Sequence, residues 1–140
     1  MTDLPMRAAQ AGLPEAVRIF EVGPRDGLQN EQHIIEVDTK VEFINRLIAA
    51  GLSIVEATSF VHPKWVPQLA DAAEVVARLP LDGPVPLPVL VPNERGLDRA
   101  LAAGCKDIAI FGSATETFAQ KNLNSTYAEQ FATFAPVVTR

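Results

Sequence analysis

Short apolar runs alternate with longer amphipathic stretches along this chain, and that alternation limits its fold more than any other feature. The runs at 17–22, 53–58, 87–91 and 107–111 contain β-branched residues and end at turn-forming or polar residues, which is typical of strands. Amphipathic stretches with apolar residues at helical spacing follow them. Four strands alternating with helices predict an α/β fold of about four βα units, with parallel strands and right-handed crossovers.

Polar residues mark where three of the predicted helices begin. Asp38 or Thr39 is expected to open the first helix, where Thr39 and Glu42 have the spacing of a capping box, and Thr126 and Glu129 have that spacing at the start of the last helix. Asn93 is placed to cap the helix that follows the third strand. These boundaries support a chain of regular βα units.

Glycine and proline mark the other boundaries. Gly51 and Gly104 are placed to end two helices in the left-handed conformation. A helix over 66–79 is expected to stop at the proline that follows it. Pro86 and Pro88 lack the N–H that a strand donates, so the start of the third strand is expected to be frayed or bulged. An open doubly wound sheet and part of a (βα)₈ barrel both satisfy this order; a whole barrel needs about 250 residues.

Composition excludes several classes of protein. The formal net charge of −5 argues against a nucleic-acid-binding domain, whose signature is a basic patch. No apolar run reaches the roughly 18–20 residues that span a bilayer, so no membrane association is expected. Residues 1–16 lack the pattern of a signal or transit peptide and are assigned to a flexible extension. With a single cysteine, Cys105, a cytoplasmic location is expected.

Chemically useful side chains follow the first predicted strand. In parallel α/β folds, functional groups gather at the carboxyl ends of the strands. Asp26 is a hard oxygen ligand suited to Mg²⁺ or Mn²⁺, and Arg25 offers a permanent planar set of donors for an oxyanion. A solvated surface turn is the alternative, and spacing alone favours it because Asp26-Gly27 is a common turn pair.

Two carboxylates lie inside predicted strands. Glu56 is flanked by apolar residues in a run that should be buried, so it needs a partner. Arg25, at the matching end of the neighbouring strand, is a natural one, and a purely structural ion pair is an equal alternative. Glu21 lies deeper in its strand and is expected to be structural. The lone His33 and His62 are expected to be polar loop residues, and Cys105 a small buried residue.

The motif EVGPRDGLQNE at 21–31 closely resembles the first-strand motif of 3-hydroxy-3-methylglutaryl-CoA lyases. The likeness continues through EATSFVHPKWVPQ at 56–68, VPN at 91–93 and FGS at 111–113. It extends over about 17–140, and it overturns the simple-turn interpretation of the first motif. The resemblance implies that 17–140 is the N-terminal half of a lyase-type TIM barrel, a partial (βα)₈ barrel.

The resemblance also implies an activity and a site. It implies cleavage of 3-hydroxy-3-methylglutaryl-CoA, a CoA thioester, to acetyl-CoA and acetoacetate with a divalent metal, Mg²⁺ or Mn²⁺. Asp26 matches a metal ligand, Arg25 the cation beside the thioester carbonyl, and Glu56 a catalytic-site carboxylate. Substrate contacts are expected of Arg25, Gln29 and Ser59.

The family's other metal ligands, two histidines and an asparagine, belong to the second half of the barrel. Residues 1–140 alone are therefore expected to be inactive, with part of the packing lost at Ile19, Val55, Val89 and Ile110. One alternative is a non-catalytic half-barrel that forms a homo-oligomer by pairing its exposed sheet edges with another copy. The other alternative is a lyase for a different 3-hydroxyacyl-CoA.

Overall fold

The computed structural model describes Gly12 and residues 14–140. Most of the predicted extension over 1–16 lies outside the described residues. The described part has an α/β architecture of helices around a small parallel sheet. The helices are α1 (Val37–Ala49), α2 (Ala72–Ala77), α3 (Glu94–Ala102), α4 (Glu116–Leu123) and α5 (Tyr127–Val138), and the strands are β1 (Thr58–Ser59), β2 (Val89–Leu90) and β3 (Ile108–Ala109).

The strands lie side by side in the order in which they occur in the chain. β1 pairs with β2 in parallel through Thr58 and Val89, and β2 pairs with β3 through Val89 and Ile108. A parallel bridge between Glu21 and Val55 adds a further segment beyond β1. This order confirms the prediction of consecutive βα units with parallel strands.

The first predicted strand is much shorter than its apolar run suggested. Instead of a strand over 17–22, the structure has one bridge, in which Glu21 N donates to Ile54 O at 3.1 Å and Glu56 N donates to Glu21 O at 2.7 Å. Among the described residues this segment pairs on one side only. The chain also leaves the extended conformation at Val22, where ψ is 3°, to begin a turn.

Prolines explain why the regular part of β1 and β2 is short. Val55 N donates to Pro86 O at 3.2 Å, and Ala57 N donates to Pro88 O at 2.9 Å. Each proline accepts a bond but has no N–H to return one, so the ladder there is one-sided. Regular strand pairing begins only at Val89, which confirms the predicted irregular start of this strand.

Two predicted helix starts are confirmed by side-chain hydrogen bonds. The Asn93 side chain accepts from Gly96 N at 3.0 Å at the start of α3. At the start of α5, Thr126 Oγ1 accepts from Glu129 N at 3.1 Å, and Glu129 Oε2 accepts from Thr126 N at 2.8 Å. This reciprocal pair is the capping box that the spacing predicted.

The predicted capping box at Thr39 and Glu42 is wrong. Helix α1 begins two residues before Thr39, at Val37, and the residue before it provides no side-chain cap. Glu42 instead forms an exposed ion pair one turn along the same helix. The predicted helix ends are correct: Gly51 and Gly104 have φ of 91° and 82°, a region that glycine enters without steric cost.

Two other helical segments differ from prediction. The helix expected over 66–79 is broken into a 3₁₀ turn, Pro67–Leu69, and the shorter α2. Helix α4 was not predicted at all, because its exposed residues give only a weak apolar stripe. Thr115, whose side chain accepts from Phe118 N at 3.3 Å, is the start signal that could have revealed it.

The core lies between the sheet and the helices, and its outer limits are the two sheet edges. Val55 and Val89 are fully buried, so the expectation that they lose packing is wrong, because helices cover the central strands. Ile19 and Ile110 keep 58% and 43% of their surface exposed, which confirms the expectation for the edges. None of the described helices has the length and apolar character to cross a bilayer.

The exposed edges predict self-association of the isolated chain. Apolar side chains beside unpaired backbone groups favour edge-to-edge pairing. In light scattering, the double variant Ile19→Lys/Ile110→Lys should shift the population towards monomer. Val138→Lys changes an exposed apolar residue on α5 rather than at an edge and should have less effect. A monodisperse monomer in the unsubstituted chain would contradict this prediction.

Candidate active site

A tight turn brings the functional side chains to the end of the first strand segment. In the π-helical turn Gly23–Gly27, three successive backbone N–H groups point at one carbonyl. Arg25 N, Asp26 N and Gly27 N donate to Val22 O at 3.1, 2.6 and 3.4 Å. This convergence reverses the chain within five residues and fixes the directions in which Arg25 and Asp26 leave the backbone.

Glu21 supports this turn from the strand side. Its Oε1 accepts from Gly23 N at 2.6 Å. A Cβ at position 23 would lie only 2.8 Å from that oxygen, so a larger residue would displace the carboxylate. Glu21 therefore has the structural role that was predicted for it.

Arg25 joins a buried carboxylate to an exposed one. Its Nε donates to Glu56 Oε1 at 2.5 Å, and its Nη1 donates to Asp26 Oδ1 at 2.7 Å. The Glu56 side chain is 4% exposed, whereas that of Asp26 is 52% exposed. The structure thus brings the three residues together, as predicted, beside the bridge between Glu21 and Val55, although Glu56 lies two residues before β1 rather than at its carboxyl end. Arg25 Nη2 has no hydrogen-bond partner among the described residues and remains able to donate.

Gln29 and Ser59 have different surroundings. Gln29 Nε2 donates to Asp26 Oδ1 at 3.2 Å, so it belongs to the same group of side chains. The buried Ser59 hydroxyl accepts from Val61 N at 3.1 Å and donates to Leu90 O at 3.2 Å. Ser59 therefore stabilises the turn after β1, and substrate contact by either residue stays a prediction.

A cleft of about 330 Å³ lies beside this group. Residues 29–32 and Ile34 form one wall, and residues 65–68 form the other. The cleft thus separates the segment that follows the first strand from the segment that follows β1. These are the two segments that the sequence marked as carrying chemistry.

Asp26 is the residue here best suited to hold a metal ion. Its Oδ2 has no hydrogen-bond partner among the described residues, and its side chain is open to solvent. A carboxylate oxygen suits Mg²⁺ or Mn²⁺. Within residues 14–140, however, no three histidine, cysteine, aspartate or glutamate residues are grouped as a metal centre. Among the described residues, Asp26 would therefore need ligands from elsewhere to complete a metal site.

The isolated histidines and the cysteine behave as predicted. His62 Nδ1 accepts from Lys64 N at 3.2 Å and so shapes its own loop. His33 contributes its backbone carbonyl, which accepts from Gln68 Nε2 at 2.7 Å. Burial raises the pKa of the Cys105 thiol to about 11, against a smaller lowering by a backbone hydrogen bond. The thiol therefore stays protonated at neutral pH, which does not favour a nucleophile.

Sequence reasoning missed two buried polar residues near the cleft, Lys40 and Gln68. Lys40 lies four residues before the buried Ile44 on α1, so the helical period places it on the apolar face. Gln68 is a polar residue directly before the buried Leu69. A charged or amide side chain at such positions is the signal that could have singled them out.

The described residues define a parallel α/β protein with an arginine–carboxylate site beside the bridge that extends its sheet. The profile of the HMGL-like family matches residues 16–140. The chain belongs to this family.

Individual relatives agree with that assignment. The rat cytoplasmic 3-hydroxy-3-methylglutaryl-CoA lyase is 53% identical over 129 residues, which cover 92% of this chain and 38% of the relative. The solved hydroxymethylglutaryl-CoA lyase of Pseudomonas aeruginosa is 46% identical with a TM-score of 0.85, covering 91% of this chain and 42% of that one. An HMG-CoA lyase from Acinetobacter baumannii was solved in complex with coenzyme A and 3-methylmalate. It is 37% identical with a TM-score of 0.80, covering 87% of this chain and 40% of that one.

The chain thus spans about two fifths of the length of these relatives. The rat relative is named cytoplasmic, whereas a hydroxymethylglutaryl-CoA lyase of Arabidopsis thaliana that is 54% identical is named mitochondrial, so the cytoplasmic location stays a prediction.

The buried contact between Arg25 and Glu56 makes a prediction about stability. Arg25→Met leaves a buried carboxylate without its cation and should lower the free energy of unfolding by about 3 kcal/mol or more. Urea denaturation measures the change. Arg46→Met removes the cation of the exposed pair with Glu42 and should cost less than about 1 kcal/mol. Equal costs for the two substitutions would show that Glu56 does not depend on Arg25.

Proposed function

We propose that this chain is the N-terminal part of a TIM-barrel carbon–carbon lyase that converts 3-hydroxy-3-methylglutaryl-CoA to acetyl-CoA and acetoacetate. The observation that carries the proposal is the placement of Arg25 between buried Glu56 and exposed Asp26, next to the bridge between Glu21 and Val55. The names of the relatives supply the substrate and the class of reaction, and the motif resemblance supplies the two products. No observation favours a different acyl-CoA substrate or a non-catalytic remnant.

The barrel is proposed from the order of the elements. Three parallel strands and one bridged segment occur in sequence order, with connecting helices, as in half of an eight-stranded barrel. Both edges of this sheet carry exposed apolar residues, Ile19 on one side and Ile110 on the other. Further strands would cover both edges. The chain spans about two fifths of the length of its relatives, and the remaining length of such a relative is enough to supply these strands.

Asp26 would contribute one carboxylate to a Mg²⁺ or Mn²⁺ site. Its half-exposed side chain and its free Oδ2 fit that role. When bound, such an ion polarises the substrate's C3 hydroxyl and lowers the cost of removing its proton. Arg25 Nη1 and Gln29 Nε2 both donate to Asp26 Oδ1, so they hold the carboxylate in one orientation.

Arg25 would stabilise the charge that develops when the C2–C3 bond breaks. The C3 hydroxyl proton passes to solvent, the resulting alkoxide becomes the ketone of acetoacetate, and the electrons of the C2–C3 bond move onto the CoA thioester fragment as an enolate, which takes one proton at C2 from solvent to give acetyl-CoA. The free Nη2 of Arg25 is available to donate to the enolate oxygen. Glu56 fixes the guanidinium through Nε, so the donor needs no reorganisation when the charge appears.

Gln29 and Ser59 are proposed to contact the substrate. Gln29 lies on the cleft wall and already donates to Asp26, so a carboxylate or hydroxyl bound near that residue is within its reach. Ser59 would act with the remaining acceptor capacity of its hydroxyl, or through the turn that it stabilises.

The chain on its own is predicted to have no lyase activity, even with millimolar Mg²⁺ or Mn²⁺. A single ligand cannot hold the ion in a fixed position, and positioning supplies much of the rate in such chemistry. An assay of acetoacetate release by the purified chain measures this. Metal-dependent turnover by a folded monomer would contradict it.

A chimera tests the roles of the individual residues. In this chimera, the described residues replace the matching segment of the Pseudomonas aeruginosa lyase. It should cleave 3-hydroxy-3-methylglutaryl-CoA with metal present. Arg25→Lys should lower kcat by about 100-fold with a smaller change in KM, because lysine lacks the planar donors. Asp26→Asn should raise the metal concentration needed for half-maximal activity, because a neutral amide replaces a charged ligand.

Arg46→Lys is the matched control, since it changes an exposed arginine on α1 in the same way. An unchanged kcat in Arg25→Lys would remove Arg25 from the mechanism. A chimera that folds, binds metal and leaves the substrate intact would overturn the proposed function.

A further inference from the structure

Gln68 has every polar group of its side-chain amide turned towards one backbone segment. Its Oε1 accepts from Ile35 N at 2.8 Å. Its Nε2 donates to His33 O at 2.7 Å and to Glu31 O at 3.4 Å. One buried amide therefore binds three backbone groups within five residues of each other. A buried amide is stable only when it is bonded in this way, which fixes both its own position and that of the segment.

Lys40 and Asp71 hold Gln68 in turn. The buried Lys40 ammonium donates to the backbone carbonyl of Gln68 and to Asp71 Oδ2, the latter at 2.7 Å. Lys40 lies on α1 and Asp71 lies just before α2. This ion pair thus fixes the start of α2 and the Gln68 backbone to the first helix.

The segment that Gln68 holds is continuous with the active-site turn. Glu31 N donates to Leu28 O at 3.0 Å, and Asn30 Nδ2 donates to Asp26 O at 2.7 Å. The bridge at Glu21 fixes the segment before the turn. Among the described residues, only Gln68 connects residues 31–35, which follow the turn, to the opposite wall of the cleft through side-chain hydrogen bonds. The Gln68 amide therefore sets the width of the cleft and the position of the turn relative to the opposite wall.

We propose that Gln68 is a positioning residue of this active site, whose side-chain amide holds residues 31–35 and thereby places Asp26 and Arg25 relative to the opposite wall of the cleft. This inference rests on the proposed lyase function for its kinetic consequence. The hydrogen bonds that carry it are independent of that function. Gln68 is a better test than Lys40, because replacing Lys40 leaves the Asp71 carboxylate without its cation and endangers the fold.

The first experiment measures amide hydrogen exchange in the chain itself and needs no activity. Gln68→Met keeps the length of the side chain and removes its donors and acceptor. The Ile35 amide should then exchange at least about tenfold faster, because its acceptor is lost. The Val55 amide, which donates to Pro86 O in the sheet, should keep its protection. Gln120→Met, at an exposed glutamine of α4, is the matched control and should change neither amide.

The second experiment measures kinetics in the chimera. Gln68→Glu keeps the size and one acceptor but replaces the single donating nitrogen by an oxygen that faces the His33 and Glu31 carbonyls. The repelled segment should shift, and kcat should fall by about 10- to 100-fold, as expected for a misplacement of about 1 Å. KM should change by a smaller factor, and Gln120→Glu should behave like the parent chimera.

Three results would overturn the inference. The first is unchanged exchange at Ile35 in Gln68→Met, and the second is equal loss of protection at Ile35 and Val55, which would indicate support of the whole fold only. The third is a Gln68→Glu chimera with the parent kcat. An unsubstituted chimera without activity would contradict the proposed function instead. The exchange measurement alone would then test whether Gln68 holds residues 31–35.

Discussion

The carboxylate of Glu56 lies in a buried segment just before β1, and an ionised group there is stable only beside a cation. Arg25 supplies that cation from the neighbouring segment through a 2.5 Å hydrogen bond. The same contact determines where the guanidinium points, because its Nε is committed to Glu56 and its Nη1 to Asp26. The need to neutralise one buried charge therefore orients the group that the proposed chemistry requires.

The backbone around this pair is built to hold it. The turn Gly23–Gly27 gathers three N–H groups on Val22 O, and Glu21 accepts from Gly23 N inside the same turn. On the far side of the turn, the amide of Gln68 binds the segment that follows. The site thus lies between a strand segment fixed by backbone bonds and a loop fixed by side chains. Asp26 remains the exposed member, as a group that meets an ion or a substrate must.

Much of this arrangement was predictable from local sequence. A carboxylate inside an apolar run requires a partner, and parallel topology brings Arg25 to Glu56, so their contact followed from two general rules. Asn93 and the Thr126–Glu129 pair were predicted because a cap depends on residues three positions apart. The lengths of the strands were not predictable in the same way. They depend on pairing between segments about 30 residues apart, and Pro86 and Pro88 remove donors from that ladder.

The hydrogen bonds of the Gln68 side chain show more clearly what could not be predicted from the sequence. Its partners lie 33 to 37 residues earlier in the chain and are backbone groups, which carry no sequence signal of their own. The Thr39–Glu42 spacing failed for the opposite reason. It satisfied a local rule, but α1 extends to Val37, which places Thr39 inside the helix.

The most direct test of this account is the NMR signal of the Arg25 Nε–H group in the chain itself. The account predicts that this proton is protected from exchange with water and that Glu56→Gln shifts its resonance and speeds its exchange. The Nε–H of Arg46, which pairs with Glu42 at the surface, should exchange rapidly in both proteins. An Arg25 Nε–H that exchanges as fast as that of Arg46, and does not respond to Glu56→Gln, would contradict the central claim that a buried carboxylate orients this arginine.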